Sequence, residues 1–155
     1  MARPAPLGVW LYGTHLADIS TNGKPGHVAC HYTSDATDRW AEGTPVLSCS
    51  RPVARRRYRD ARGFSRGLLA EGTALQAMAD IAGVATHDTF GLLAHFGRDV
   101  AGAVVISPDE PDNSGGEALP YTTSDLADEV GGLELRPLAL YDDSELSLPG
   151  LQNKM

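Results

Sequence analysis

The chain has 155 residues, the size of a single domain, and its 17 glycines and 10 prolines limit helices and strands to short lengths. A hydrophobic fraction of 42% is enough for a buried core. The sequence contains neither an apolar run of roughly 18 residues nor a signal-peptide core, and its two cysteines cannot form a disulfide framework, so we expect a soluble, cytoplasmic protein.

The net charge of −7 conceals a basic segment in an acidic protein. Residues 1–100 have a balance of +2, from 11 basic and 9 acidic side chains, and residues 101–155 have a balance of −9, from 2 and 11. Residues 51–66, hereafter the arginine segment, contain one acid, Asp60, and seven arginines: Arg51, Arg55, Arg56, Arg57, Arg59, Arg62 and Arg66. Such a cluster can bind phosphate, RNA or an acidic partner, or it can be a solvated loop or helix face.

The first third of the chain has the pattern of β-structure. Apolar residues alternate over 7–12, and a turn at 13–14 leads into a second strand at 15–19, which predicts a hairpin. The N-G-K-P-G sequence at 22–26 is a strong turn signal, because Asn-Gly tolerates positive φ and proline lacks a backbone donor. A third strand is predicted at 27–32.

Next, Thr33 or Ser34 is expected to cap a short helix that extends through Trp40, and residues 46–50 have the composition of another short strand. After the arginine segment, apolar residues recur every three or four positions instead of every second one. This period predicts an amphipathic helix over 73–83, with a glycine at its C-terminal end.

The rest of the chain predicts a second helix, capped by Thr86 and stopped by Gly97, followed by a buried strand at 100–106. An acidic stretch rich in Pro, Gly and Ser at 107–117 is expected to be an exposed loop, and a short helix is expected at 125–130. Together these elements predict an α+β fold with a small antiparallel β-sheet, a hairpin and a few short helices.

A G-x-S-x-G pattern at residues 63–67 matches the serine nucleophile elbow of α/β-hydrolases. That elbow requires a buried strand before the serine, and the preceding residues 57–62, with three arginines, cannot form one. A glycine-flanked serine in a loop or at a helix start is the favoured interpretation.

His27, Cys30 and His31 lie close together in the sequence and could suggest a metal site. On a strand, however, residues 27 and 31 share one face while Cys30 points to the other. We therefore expect no metal site and interpret Cys30 as a small buried apolar residue.

Residues 147–154, S-L-P-G-L-Q-N-K, lack the glycine pair and the Lys-Ser/Thr ending of a Walker A loop. The glycine and the lysine would still allow a short loop that cradles phosphate. By spacing alone, a polar C-terminal tail is the favoured alternative.

Several segments together resemble the HipA-like serine/threonine kinases of bacterial toxin–antitoxin systems, in the order in which that family has them. The matching segments are V-W-L-Y at 9–12, P-V-L-S-C-S-R-P at 45–52, F-S-R-G-L-L-A-E-G at 64–72, F-G-L-L at 90–93, G-R-D-V-A-G-A-V at 97–104 and E-L-S-L-P-G-L-Q-N-K at 145–154. The chain departs from the family pattern at Arg51, where an apolar residue is usual, at Ala70, where proline is expected, and at Pro149 inside the terminal loop.

The resemblance implies that Ser147 is an autophosphorylation position and that Gly150, Gln152 and Lys154 lie on the loop that contacts ATP. The catalytic residues of the family lie on the kinase core, beyond the point where this chain stops, so we expect no activity from the chain alone. ATP and Mg²⁺ are then cofactors of the full-length family. The expected partners are a helix-turn-helix antitoxin, a HipA-like kinase core, or both.

Two functional hypotheses follow from the resemblance. In the first, residues 1–110 are the N-terminal subdomain of a HipA-like kinase, and 111–155 are an acidic linker and the incomplete beginning of the kinase core, with the catalytic part severed. In the second, the chain is a stand-alone small antitoxin that binds and inhibits a co-encoded kinase. Direct nucleic-acid binding ranks last, because the acidic remainder would repel a polyanion and the family assigns DNA recognition to the helix-turn-helix partner.

Overall fold

A computed structural model of the chain describes residues 4–24, 26–111 and 122–132. The described part contains four strands and five helices. In chain order they are β1 (Leu7–Leu11), β2 (Thr14–Ser20), β3 (Ala29–Tyr32), α1 (Ser34–Arg39), α2 (Arg62–Arg66), α3 (Gly72–Ala82), α4 (Thr89–Phe96), β4 (Val104–Ser107) and α5 (Thr123–Gly132). The strands form one antiparallel sheet in the order β3-β2-β1-β4, which confirms the predicted α+β fold.

The β1–β2 hairpin closes through a two-residue turn at Tyr12 and Gly13, whose φ angles are 49° and 75°. Two successive positive φ values match the right-handed twist of the strands. The sequence predicts the turn one residue later, because tyrosine seldom adopts positive φ. A β-bulge follows: Val9 pairs with Ala17 and Trp10 with His15, so the residue between them in β2 is left out of the ladder.

Thr33 connects that bulge to α1. Its N–H donates to the carbonyl of the bulged residue, Leu16, at 2.9 Å, and its hydroxyl donates to the His15 carbonyl at 2.8 Å. The hydroxyl oxygen also accepts from the Ala36 N–H at 3.1 Å, which makes Thr33 the N-cap of α1. One side chain thus satisfies a sheet irregularity and a helix end.

Replacing Thr33 with alanine is expected to destabilise the protein by about 1–2 kcal/mol, because the helix cap and the contact with the bulge are lost together. Thr33→Ser retains the hydroxyl and should recover most of the loss. Urea unfolding of both variants measures the difference, with the neighbouring exposed Ser34→Ala as the control. Equal losses for Thr33→Ala and Ser34→Ala would contradict this role.

The core lies between the sheet and the helices. Helix α4 contacts β4, α2 and α3, and α1 contacts β2. The largest fully buried side chains come from both layers: Tyr32, Leu16, Ile19, Met78, Leu92, Leu93, Ile106, Val9, Val28 and Val53. Helix α3 ends at Gly83, which adopts the left-handed conformation with φ of 64°, and this confirms the predicted amphipathic helix and its glycine stop.

Several predicted elements and boundaries are wrong, among them the start of the third strand, which is Ala29 instead of His27. Residues 46–50 form a folded-back loop instead of a strand: the Val53 N–H donates to the Thr44 carbonyl at 2.8 Å, and prolines at both ends of this loop remove backbone donors. Helix α4 is capped by Asp88 instead of Thr86, through a 3.1 Å bond from the Gly91 N–H. Strand β4 begins only at Val104 and includes Ser107, which was expected in a loop.

The described residues belong to two compact units, 4–111 and 122–132. In the second unit, Thr122 and Asp125 cap α5 reciprocally: the Thr122 N–H donates to the Asp125 carboxylate at 3.1 Å, and the Asp125 N–H donates to the Thr122 hydroxyl at 3.2 Å. The bonds from Thr122 lower the pKa of the Asp125 carboxyl. None of the helices within the described ranges is long and apolar enough to cross a lipid bilayer.

Candidate partner-binding surface

The arginine segment is attached to the outer edge of β3. The Tyr58 N–H donates to the Cys30 carbonyl at 2.8 Å, and the Cys30 N–H donates to the Tyr58 carbonyl at 2.9 Å. Further along, the Ala61 N–H donates to the Val28 carbonyl at 2.8 Å. These bonds cover backbone groups that an open edge strand would expose. The segment is therefore fixed to the sheet, and its arginines are presented along one edge.

Tyr58 anchors the segment through its side chain as well. Its hydroxyl donates to the Pro52 carbonyl at 2.7 Å, which fixes the ring over the start of the segment. The guanidinium carbons of Arg51 and Arg56 lie 5.4 Å and 5.6 Å from the ring centroid, within the range of cation–π attraction. Tyr58 is not predicted from the sequence, although a lone aromatic among arginines is a signal that could have identified it.

Arg51 connects the two ends of the loop formed by residues 50–60. Its guanidinium donates to the Ser50 carbonyl at 2.7 Å and to the Asp60 carbonyl, and its own carbonyl accepts from the Tyr32 hydroxyl at 2.6 Å. Burial raises the pKa of Tyr32 well above its usual value, so this hydroxyl, already protonated at neutral pH, remains a donor in alkaline solution as well. Arg51, which departs from the family pattern, therefore has a structural role, because its planar guanidinium bonds to both ends of this loop.

The remaining arginines differ in how far they are engaged. Arg57 donates to the Ser20 hydroxyl, Arg55 pairs with Asp38 at 3.4 Å, Arg62 pairs with Asp60 at 3.2 Å, and Arg66 donates to the Thr86 carbonyl. Hydrogen bonds from Arg62 lower the pKa of Asp60, which remains ionised. Within the described ranges Arg59 has neither a hydrogen bond nor an ion pair, and it is exposed.

An open cavity of about 680 Å³ lies in the middle of this surface. Its walls come from the segment itself and the residue before it: Ser50, Arg51, Arg56, Arg57, Tyr58, Arg59 and Asp60. The structure thus brings four of the seven predicted arginines together around one concave surface. Arg55, Arg62 and Arg66 lie outside its lining.

Ser65 of the G-x-S-x-G pattern is not placed as a nucleophile. It lies inside α2, is 0% exposed, and its hydroxyl has no hydrogen-bond partner among the described residues. A hydrolase serine needs an accessible hydroxyl and a base within hydrogen-bond reach. The buried position agrees with the non-catalytic interpretation of the pattern.

Two of the residues considered for a metal site differ in their exposure. Cys30 is buried and His31 is exposed on the same strand, as the alternation predicts. Burial, reinforced by the Asp18 carboxylate, raises the pKa of the Cys30 thiol to about 11, so the thiolate that a metal requires is disfavoured. Within the described residues, no group of three or more His, Cys, Asp or Glu side chains is arranged to hold a metal ion.

Residues 7–107 match the family model of the HipA N-terminal domain. The chain belongs to this family. It is 32% identical over 158 residues to a candidate kinase of Sinorhizobium fredii, Y4mE, covering 96% of this chain and 37% of Y4mE. Its fold resembles a chain in the solved complex of HipA, HipB and operator DNA from the Shewanella oneidensis MR-1 toxin–antitoxin system, with a TM-score of 0.56 and 23% identity over 84% of this chain and 29% of that chain.

Two of the segments that carry the HipA resemblance meet in the fold. The Ala101 N–H, in G-R-D-V-A-G-A-V, donates to the Leu68 carbonyl, in F-S-R-G-L-L-A-E-G, at 3.2 Å. Gly97 begins the first of these segments and accepts a 2.6 Å bond from the Ile106 N–H in β4. The segments therefore join the HipA N-terminal sheet to its helices.

Ser147, Gly150, Gln152 and Lys154 lie outside the described residues. Their assignment to autophosphorylation and to a nucleotide loop stays a prediction. The domain boundary expected between residues 110 and 111 also stays a prediction.

Proposed function

We propose that the chain is the non-catalytic N-terminal module of a HipA-like toxin kinase and acts in the cytoplasm as a scaffold that binds protein partners. The observation that carries this proposal is the family match over residues 7–107, which includes the whole sheet and helices α1 to α4. The chain spans only about a third of the length of its relatives, so the activity of a whole kinase is itself a proposal for this chain.

The arginine segment is the proposed contact surface. Its side chains Arg55, Arg56, Arg57 and Arg59 are exposed on a backbone that is bonded to β3, whereas the chain as a whole carries a charge of −7. A fixed positive patch favours an acidic surface on a partner and accelerates their association. The partners we propose are a helix-turn-helix antitoxin and the HipA-like kinase core.

Phosphoryl transfer requires an orienting Asp, metal-binding Asp and Asn side chains, and a lysine on the nucleotide. We propose that the kinase core supplies these groups and binds ATP and Mg²⁺. In the same proposal Ser147 is a phosphorylation position, and Gly150, Gln152 and Lys154 contact the nucleotide once the core is present. The chain by itself is then expected to bind partners without turning over ATP.

The test is a pull-down of the helix-turn-helix protein and the HipA-like kinase encoded next to this chain, followed by calorimetry. We expect binding of at least one of them at micromolar concentration, weakened about tenfold or more by Arg57→Glu combined with Arg59→Glu. Arg39→Glu combined with Arg98→Glu reverses the same number of charges at two exposed arginines outside the segment and is the charge-matched control. Absence of association with either protein at micromolar concentration would overturn the proposal.

A stand-alone antitoxin is the second candidate. The observation that favours it is the first unit, 4–111, which encloses its own core of fully buried side chains. If the chain is an antitoxin, adding it to the co-encoded kinase will suppress autophosphorylation in a dose-dependent way. Binding without any loss of autophosphorylation would favour the scaffold instead.

A further inference from the structure

We propose that the cavity in the arginine segment is a binding site for a phosphate dianion, either free or carried as a monoester on a side chain. Four arginines line it, Arg51, Arg56, Arg57 and Arg59, and among the described residues of its wall Asp60 is the one acid. A phosphate monoester carries nearly two negative charges and three accepting oxygens, which suits a pocket lined by several guanidinium groups. This inference does not depend on the proposed function.

Several side chains in the cavity wall are held in place before any ligand binds. Arg51 is fixed by bonds to the Ser50 and Asp60 carbonyls, and Tyr58 is fixed by its backbone pairing with Cys30 and by its hydroxyl. Arg56 lies over the immobilised Tyr58 ring. Because these groups are already ordered, a ligand loses less binding energy to side-chain ordering.

Some guanidinium N–H groups in the cavity wall have no hydrogen-bond acceptor among the described residues. Arg59 has no partner within the described ranges, and the contact found for Arg56 is the face of the Tyr58 ring, so the N–H groups of both are available. Arg57 uses one nitrogen on the Ser20 hydroxyl, which leaves donors on the rest of its fork. The free donors are therefore enough to contact several oxygens of one phosphate.

The carboxylate in the wall does not cancel this attraction. Asp60 accepts from the Arg62 side chain at 3.2 Å and 3.3 Å and from the Arg62 N–H at 3.1 Å. Its charge is thus already paired with an arginine outside the cavity. Because Asp60 and Arg62 neutralise each other, the positive charge of the arginines in the lining is not balanced and faces the ligand.

The setting favours one compact dianion over an extended polyanion. The cavity is a single concavity within one short segment, and a nucleic acid that extended beyond it would meet a chain with a net charge of −7. Two sources have the required chemistry: free phosphate and a phosphorylated side chain. The experiment includes both.

The full chain is titrated with inorganic phosphate, and in parallel with O-phosphoserine, at neutral pH and constant ionic strength, and backbone amide shifts are recorded. We expect saturable shifts confined to the residues of the lining, 50–51 and 56–60. Arg59→Gln should raise the dissociation constant of phosphate about tenfold, the loss of one charged hydrogen bond. Since Arg59 has no partner within the described ranges, this variant should unfold at the same urea concentration as the parent chain.

Arg98→Gln is the control and should bind phosphate like the parent chain. Tighter binding of O-phosphoserine would identify a phosphorylated side chain as the ligand, and tighter binding of inorganic phosphate would identify the free anion; both support the site. Equal shifts from chloride, equal weakening by Arg98→Gln, or duplex DNA that displaces phosphate would overturn it. Loss of phosphate binding with intact partner binding would remove this site and leave the proposed function standing.

Discussion

Replacing Gly97 with alanine is expected to destabilise the protein by about 3 kcal/mol, the upper range for overpacking a dense core. A Cβ at this position would lie 2.4 Å from the Leu93 carbonyl oxygen, 2.5 Å from the Ile106 carbonyl oxygen and 2.8 Å from the Ile106 Cβ. All three neighbours belong to α4 and β4, so no flexible side chain can move away. The added methyl group must therefore push the helix end and the strand apart.

The φ of Gly97 is −65°, an ordinary helical value, so the expected loss comes from lack of space and not from backbone strain. Gly63→Ala is the matched control, because Gly63 is in α2 with nothing within 4 Å of the added Cβ. Alanine is the better helix former, and this control should be neutral or stabilising by up to about 1 kcal/mol. Urea unfolding of both variants measures the contrast, and similar losses at the two positions would refute the close-approach argument.

Local patterns were sufficient to predict much of the fold. The alternation over residues 7–12 and the three-and-four period over 73–83 depend on neighbours in sequence, and both elements formed where they were predicted. The strand predicted at 46–50 failed because this segment bonds to its own neighbours, as in the bond from the Val53 N–H to the Thr44 carbonyl, and prolines at both ends remove backbone donors. The strand predicted at 100–106 is shorter than expected because its first residues turn at Gly102, with φ of 96°, before pairing with β1 begins.

The candidate surface was predictable only in part. Composition identified the cluster of arginines, because the remainder of the chain has a net negative charge. Composition could not show that Tyr58 pairs with Cys30, since that bridge joins positions 28 residues apart and depends on which edge of the sheet is free. It also gave no means of separating the structural Arg51 from Arg59, which has no partner among the described residues, because this difference lies in tertiary contacts.

Alkaline pH is expected to destabilise the protein through Cys30, by about 2 kcal/mol between pH 9 and pH 11. The thiol is 1% exposed, and burial, with the Asp18 carboxylate, raises its pKa from 9.0 to about 11. The folded state therefore keeps a proton that the unfolded state releases above pH 9. The whole contribution, about 3 kcal/mol for two pKa units, is present below pH 9, and most of it is lost as the pH rises through 11.

Tyr32 acts in the same direction at higher pH, because burial raises its pKa as well. Variants at the two cysteines isolate the thiol, since Cys30 is buried and Cys49 is exposed. Free energies of unfolding in urea, measured from pH 8 to pH 11, should fall equally in the parent chain and in Cys49→Ala. Cys30→Ala should be less stable at pH 8, because core volume is lost, and should decline much less between pH 9 and pH 10, where Tyr32 contributes little. Parallel curves for all three proteins would show that the Cys30 thiol is not the group that titrates.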